Sequence, residues 1–210
     1  MTSGMTVLRE FAGRQYGQVT VPQAGFAGVS RNVLRDALDS GAAEWVVPLR
    51  VLWIRGDVRA RNPRLLAHWL LLDRTPAWTR VAPDCGVVSH CSALALYGLP
   101  GFPSAGFEFT VPSASGQAPE GTVLHAGRLT EGEWHEVQGL PVTTPARTLR
   151  DFAAAPEFDA EDVGKVASRF LRRQLASEDE LAAALDAHLR GIGATGSGAE
   201  LLRRLLASAR

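Results

Sequence analysis

The sequence has one lysine, two cysteines and no long run of apolar residues. The single lysine, Lys165, lies in a predicted amphipathic helix. A metal-dependent nuclease of the carboxylate-lysine type needs a lysine close to paired acids, so the sequence argues against this class of enzyme. Cys85 and Cys91 are too few for a disulfide framework, and their spacing matches neither a redox pair nor a zinc knuckle, so we expect two reduced, buried thiols. No apolar run approaches the roughly 18 residues that cross a bilayer, and the N-terminus lacks the apolar stretch of a signal peptide. The sequence therefore predicts a cytoplasmic protein with no membrane partner.

Groups that would build a catalytic or cofactor site are also missing or badly spaced. The five histidines are scattered, with no pair four residues apart of the metalloprotease kind. The string GIGATGSG at 191–198 has the form GxGxxG, but it follows a predicted helix rather than a strand, so we interpret it as a flexible link. Ser89 and His90 could serve as nucleophile and base, but neighbours at a strand-to-helix turn generally point apart. The sequence predicts no catalytic residue, cofactor or metal, and hence not an enzyme.

Charge is balanced over the whole chain but not along it. The 210 residues carry 22 basic and 22 acidic side chains, and 46% of them are hydrophobic, which is enough to bury a core. Residues 1–61 hold 8 arginines and 5 acidic residues, for a charge of +3, residues 62–158 hold 6 and 9, for −3, and residues 159–210 balance at 8 and 8. A small basic domain on an otherwise acidic or neutral protein is what attraction to phosphate requires, although many solvated surfaces carry as much charge.

The first 60 residues have the pattern of three helices followed by a two-stranded ribbon. Thr20 and Gln23 form a capping box at the start of the second helix, and Ser30 is a natural N-cap for the third. The predicted elements are helices over residues 6–16, 21–27 and 31–40 and strands over residues 44–47 and 51–54. This order predicts a winged helix-turn-helix domain over residues 1–60.

In that architecture the helix after the tight turn enters the major groove, with its N-terminal residues nearest the base edges. Arginine can pair with guanine and asparagine with adenine, and arginines in the hairpin can contact phosphates. The candidate DNA-binding residues are Ser30, Arg31, Asn32, Arg35, Arg50 and Arg55. The alternative is a solvated helix face and a structural hairpin, which Asp36, Asp39 and Glu44 favour because they repel the phosphate backbone.

The polar stretch 57–63 is the predicted boundary with a larger α/β domain over residues 61–210, which ends in three helices. Two strand-turn-helix segments frame its middle: GVVSHCSALALYGLPGFP at 86–103, with Ser89 as N-cap, and GLPVTTPARTLRDFAAA at 139–155, with Thr144 as N-cap. FEFTV at 107–111 alternates in polarity, which predicts a half-buried strand. The remaining predicted elements are strands over 122–125, 134–137 and 141–143 in a small mixed sheet and C-terminal helices capped by Asp159, Ser177 and Ser197.

The strings VVSHCSALALYGLPGF, FEFTVPS and VQGLPVTTPARTLRDFA resemble the diagnostic core of the AbiEi family. These proteins are the antitoxin and transcriptional-regulator components of type IV toxin-antitoxin systems. The resemblance continues weakly to both ends of the chain and implies an N-terminal winged helix-turn-helix, operator DNA as a partner and a neighbouring nucleotidyltransferase-like toxin, antagonised directly or indirectly. This chain departs from the family in having fewer basic residues on its third helix and hairpin and none in the loop 112–121.

These observations lead to three functional hypotheses. The first is a DNA-binding autoregulator, a repressor whose winged helix binds an operator and whose larger domain carries antitoxin or dimerisation activity, with the terminal helix as a candidate for a homodimer contact. The second is a protein-interaction module whose winged helix does not touch DNA, which the weak net charge favours. The third, an enzyme, lacks a constellation that supplies both nucleophile and base.

Overall fold

The computed structural model describes residues 3–114 and 117–209. These residues form helices and two small sheets, one of three strands and one of five, which confirms the predicted α+β class. The chain separates into two compact units. The first unit comprises the residues up to Gly86 together with Ala114–Thr122, and the second comprises Val87–Ser113 and Val123–Arg210. No helix in the described ranges is long and apolar enough to cross a bilayer.

The first unit packs helices around a three-stranded antiparallel sheet of order β1-β3-β2. Its elements are α1 (Gly4–Gly13), β1 (Gln18–Thr20), α2 (Val21–Phe26), α3 (Arg31–Asp39), β2 (Ala43–Val47), β3 (Val51–Ile54), α4 (Pro63–Leu71) and a 3-10 turn (Ala77–Thr79). The three predicted helices and the hairpin are confirmed. Strand β1 adds to them, since three residues are too few to show an alternating pattern in the sequence.

Side-chain hydrogen bonds set where the short helices of this unit begin. The Oγ1 of Thr20 accepts from the amide of Gln23, and the Gln23 side chain accepts from the amide of Thr20, so the predicted capping box is confirmed. Gln23 also receives a hydrogen bond from the buried side chain of Gln15 at 2.9 Å. Helix α1 ends at Gly13, earlier than its apolar pattern suggests, because Tyr16 and Gly17 both take positive φ and turn the chain into β1.

Helix α4 belongs to the first unit, so the chain does not divide at the polar stretch 57–63. Six consecutive residues of this helix, Leu65–Leu70, are buried, and the carbonyl of Pro63 accepts a hydrogen bond from Gln18 at 2.8 Å. Within the polar stretch, Arg59 pairs with Glu44 at 3.0 Å. The predicted boundary after residue 60 therefore differs from the division at Gly86, because charged residues that look like a linker are tied to the hairpin.

The second unit packs helices against a five-stranded mixed sheet of order β6-β5-β4-β8-β7. Its elements are β4 (Val87–Val88), α5 (His90–Leu96), β5 (Phe107–Val111), β6 (Thr122–Ala126), β7 (Trp134–Val137), β8 (Leu140–Thr143), α6 (Pro145–Ala154), α7 (Ala160–Arg172), α8 (Glu178–Gly191) and α9 (Gly198–Ser208). The two strand-turn-helix segments meet at the centre, where β4 pairs in parallel with β8, Val88 opposite Val142. The predicted strands and C-terminal helices are confirmed.

Two glycines let the C-terminal helices approach each other closely. A Cβ added at Gly164 of α7 would overlap the carbonyl oxygen of Leu205 in α9, and a Cβ at Gly198 would overlap the carbonyl oxygen of Ala182 in α8. The string 191–198 therefore joins α8 to α9 through a turn in which Asp186 accepts the amide of Gly198. Backbone contact, which a side chain would prevent, determines the spacing of these helices.

We expect Gly164→Ala to lower the free energy of unfolding by about 1–3 kcal/mol, because the added methyl group must displace α9. Chemical unfolding followed by circular dichroism measures this change. Gly191→Ala is the matched control, since Gly191 is helical and, apart from its own helix backbone and chain neighbours, no described residue has an atom within 4 Å of its Cβ position. This variant should be neutral or slightly stabilising. Equal stability of the two variants would contradict the close approach.

Candidate nucleic-acid interface and a buried polar cluster

Helix α3 presents its predicted DNA-reading residues to solvent. The Oγ of Ser30 accepts a hydrogen bond from the amide of Val33 at 3.4 Å, so the predicted N-cap is confirmed. Leu34 and Ala37 are buried against the first unit's core. The exposed positions of the segment are Ser30, Arg31, Asn32, Arg35, Asp36 and Asp39, as the periodicity predicts.

The arginines of α3 are not neutralised by the acids of the same helix. Arg35 donates to the side-chain oxygen of Asn32 at 3.0 Å. Arg31 makes no ion pair or side-chain hydrogen bond within the described chain, and neither arginine pairs with Asp36 or Asp39. Both guanidinium groups therefore retain N–H donors for an external acceptor. The side-chain oxygen of Asn32 already accepts a hydrogen bond from Arg35.

The hairpin residues fall into two different environments. Arg50 lies in the turn between β2 and β3, next to Leu49, whose φ is +60° and which is 80% exposed. Arg55, at the other end of β3, pairs with Glu44 at 3.2 Å, and Arg59 pairs with the same carboxylate at 3.0 Å. Arg55 is thus partly neutralised by a residue on the paired strand.

The structure gathers four of the six candidate residues and separates the other two. The four on α3 lie within its cap and first two turns, while Arg50 and Arg55 occupy opposite ends of β3. The carbonyl of Arg50 accepts from the amide of Val21 at the start of α2, and the amide of Arg55 donates to the carbonyl of Ala42 just after α3. The hairpin therefore presents its arginines at two places rather than one.

Known proteins give no independent indication of what this surface binds: no protein-family model matches the chain, and no curated protein matches it. The charges of its own side chains therefore have to indicate what it binds. Arg31, Arg35 and Arg50 make no ion pair with a carboxylate among the described residues. The first unit holds 11 arginines and 8 acidic residues, for a net charge of +3, which favours an anionic ligand.

The exposed apolar side chains of the first unit include Phe26 and Leu49, which the sequence patterns did not indicate. Phe26, at the end of α2, is 77% exposed, and Leu49 is 80% exposed at the hairpin turn. A helix of six residues is too short to show which face Phe26 occupies, and a single leucine in a turn gives no periodic signal. Both side chains are accessible to a ligand or a partner protein.

The second unit contains a buried polar cluster built around Glu108 of β5. One carboxylate oxygen of Glu108 accepts the amide of Cys91 at 2.7 Å, and the other contacts Nε2 of His125 at 3.2 Å. The imidazole of His125 stacks on that of His90 with ring centroids 3.5 Å apart, and Nδ1 of His90 lies 2.9 Å from the Oγ of Ser89. The cluster connects β5, β6 and the start of α5.

This cluster corrects three expectations from the sequence. Ser89 is the N-cap residue of α5, but its side chain makes no capping hydrogen bond, and Glu108 receives the amide of Cys91 instead. Ser89 and His90 do not point apart, because His90 takes a φ of +49° and turns its ring toward Ser89. The strand 107–111 is not half-buried in the alternating way that its polarity predicts, since Glu108 and Thr110 are both buried.

Burial and neighbouring charges set the protonation states in the cluster. Burial, with the facing His125, lowers the pKa of His90 to about 4. Burial would raise the pKa of Glu108, but the hydrogen bond from His125, the charge of His90 and the Cys91 amide outweigh it and hold that pKa below its usual value. Burial, with Glu108 nearby, raises the pKa of the Cys91 thiol to about 12. At neutral pH, Glu108 is charged while His90 and Cys91 are neutral.

These states favour a structural role for the cluster. The Oγ of Ser89 lies within a fully buried residue, so a substrate cannot reach it without rearrangement of the fold. The thiol of Cys91 stays protonated, and only the thiolate is strongly nucleophilic. The arrangement instead anchors the start of α5 to β5 through a charged acceptor.

We expect the stability of the wild-type protein to fall as the pH drops from about 6.5 to 4, because the unfolded chain then gains a proton on His90 that the folded chain resists. The upper limit of this effect is about 3 kcal/mol. His90→Asn should flatten that part of the pH profile, since asparagine tolerates the positive φ but does not titrate. Chemical unfolding at pH 7 and pH 4.5 measures the difference.

His188→Asn on α8 is the matched control, because it removes a histidine outside the cluster. This variant should follow the wild-type profile. If His90→Asn lost stability between the two pH values as steeply as the wild type, titration of His90 would not be coupled to folding.

Proposed function

We propose that this protein is a DNA-binding transcriptional regulator whose first unit is a winged helix-turn-helix. The order α1-β1-α2-α3-β2-β3, with an antiparallel sheet of order β1-β3-β2, supports this proposal. Helix α3 follows the turn after α2 and takes the position of the recognition helix. The observation that carries the proposal is that Arg31 and Arg35 are exposed on this helix and pair with no carboxylate of the described residues.

In this proposal the N-terminal residues of α3 read bases and the hairpin contacts the backbone. Arg31 and Arg35 suit the paired acceptors of guanine, and Asn32 suits adenine. The hydroxyl of Ser30 and the guanidinium of Arg50 suit phosphate oxygens. Arg50 lies where a wing would follow the groove edge. Double-stranded operator DNA upstream of the protein's own gene is the proposed partner.

We further propose that the regulator acts as an antitoxin of the AbiEi type, in the cytoplasm and without enzymatic activity or cofactor. The strings that resemble this family occupy β4, α5, β5, β8 and α6, which form the core of the second unit. The second unit is then the proposed seat of antitoxin or dimerisation activity. A nucleotidyltransferase-like toxin encoded beside the gene would be its direct or indirect partner, and a homodimer would suit a palindromic operator.

A protein-interaction module is the second candidate, and a specific observation favours it. Phe26 and Leu49 are large apolar side chains that are more than three-quarters exposed, while Asp36, Asp39 and Glu44 oppose a phosphate backbone. A helix-turn-helix shape is also used for contacts with proteins. Equal and negligible retention on upstream DNA and on unrelated DNA would select this candidate over the regulator.

We expect Arg31→Ala combined with Arg35→Ala to weaken operator binding, with about 1–3 kcal/mol lost for each base contact. The salt dependence of the binding constant should also become flatter, since each cation near the duplex releases counterions. Gel-shift titration at several salt concentrations measures both effects.

Arg128→Ala combined with Arg190→Ala is the matched control, because it removes two exposed arginines of the second unit that lie outside α9. It should bind operator as the wild type does. Unchanged binding by the α3 variant, or an equal loss in the control, would remove α3 from the interface.

We expect Glu44→Gln to raise affinity for DNA of any sequence, because it releases Arg55 and Arg59 from their shared carboxylate. The slope of log binding constant against log salt should steepen by about 1–2, one unit for each arginine that reaches a phosphate. Glu178→Gln on α8 makes the same charge change elsewhere and should have little effect. Equal binding by the two variants would show that these arginines do not reach the duplex.

A further inference from the structure

The second unit has a cavity of about 270 Å³ that the buried cluster does not use. One wall is the exposed side of α7, and the other is the segment that follows α5. The residues around it include Gly98, Pro100, Phe102, Lys165, Ser168, Arg169 and Arg172. The cavity therefore lies within a single compact unit and has a polar wall facing an apolar one.

The polar wall is strongly cationic. Lys165, Arg169 and Arg172 lie four and three residues apart, so they share one face of α7. Lys165 is held by Glu161 at 2.7 Å. Arg169 and Arg172 are exposed, and neither makes an ion pair or a side-chain hydrogen bond to any described residue. Two guanidinium groups one helical turn apart are therefore free to bind one anion.

This concentration of positive charge runs against the composition of the unit. The second unit holds 11 basic and 14 acidic residues, for a net charge of −3. A charged face near a helix C-terminus often serves only to interact with the helix dipole. In this unit, however, Arg169 and Arg172 line a concave space, and no carboxylate of a described residue pairs with them, whereas Glu133 pairs with both Arg147 and Arg150.

The opposite wall is held in place before any ligand arrives. The ring of Phe102 packs edge-on against Phe152 and Phe158, with centroids 4.8 Å and 5.7 Å away. The guanidinium of Arg173 lies where a side chain at Gly98 would be, and its Nη1 donates to the carbonyl of Tyr97 at 2.9 Å. These contacts fix the backbone and the aromatic ring on this side of the cavity. Little conformational entropy is therefore lost when a ligand binds.

We propose that this cavity binds a small phosphate monoester of about the size of a mononucleotide. Arg169 and Arg172 bind the phosphate, since a planar guanidinium matches two phosphate oxygens, and the hydroxyl of Ser168 adds a donor. Phe102 and Pro100 contact the uncharged part of the ligand. The volume, about 270 Å³, lies just below the usual range of small-ligand pockets, so the cavity fits a small phosphate ester and not a duplex. This inference is independent of DNA binding by α3.

The test is isothermal titration calorimetry of the full chain with three probes: AMP, inorganic phosphate and adenosine. We expect AMP to bind at one site, inorganic phosphate to compete with it, and adenosine to bind at least tenfold more weakly because it lacks the anion. No binding of AMP at millimolar concentration would overturn the proposal, and so would adenosine binding as tightly as AMP.

Variants locate the site. Arg169→Ala and Arg172→Ala should each weaken AMP binding about tenfold or more, as the loss of a charge-assisted hydrogen bond predicts. Arg169→Lys combined with Arg172→Lys keeps the charge but loses the paired donors, so it should bind AMP with intermediate affinity. The control Arg128→Ala with Arg190→Ala removes two exposed charges outside the cavity and should bind AMP as the wild type does.

Operator binding, measured without nucleotide, distinguishes a ligand cavity from a second DNA contact. The Arg169→Ala, Arg172→Ala double variant should retain wild-type affinity for operator DNA if the cavity serves a small molecule. Loss of DNA binding in this variant together with wild-type AMP affinity would overturn the proposal. The proposal would also be overturned if the Arg169→Ala, Arg172→Ala double variant and the control variant lost AMP affinity to the same extent.

Discussion

The hydrogen bond between the Glu108 carboxylate and the amide of Cys91 is the contact on which the second unit depends. It supplies a charged acceptor for an amide at the start of α5, which lacks an intrahelical partner there. The same carboxylate contacts His125, which stacks on His90, so one acidic side chain joins two strands and a helix. A buried charge of this kind is tolerated because both of its oxygens have partners.

The position of α5 in turn defines the surface beyond it. Because the start of the helix is anchored to β5, its far end brings Gly98 to a fixed place, where Arg173 lies against the backbone. The segment that follows forms the apolar wall of the cavity beside α7. The buried cluster thus lies at the start of α5 and the cationic cavity beside the segment that follows its end, and different residues build the two.

The first unit follows a simpler constraint. Helix α3 must bury Leu34 and Ala37, and this requirement directs its arginines outward whatever they bind. The proposed function then depends on which of these charges stay free. The acids of α3 leave its arginines unpaired, whereas Glu44 on β2 draws Arg55 and Arg59 toward the hairpin. Charge count alone, at +3 for the unit, does not describe this division.

Local signals in the sequence were sufficient for much of the fold. The capping residues Thr20, Ser30, Thr144 and Ser177 predicted where helices begin, because a cap acts within three residues of itself. The inward and outward positions of α3 followed from helical periodicity alone. The residues proposed for DNA contact could be chosen in this way, since their placement depends on one helix and one hairpin.

Contacts between residues far apart in the sequence decided the rest. The sequence determined the α+β class, the helix starts and the exposed face of α3, because these depend on neighbours within a few residues. Only the tertiary structure brought Glu108 to Cys91, tied Arg55 and Arg59 to Glu44, and placed Phe102 and Arg169 around one cavity. The physical reason is that partners separated by 11 or more residues meet through strand pairing and helix packing, which no local pattern records.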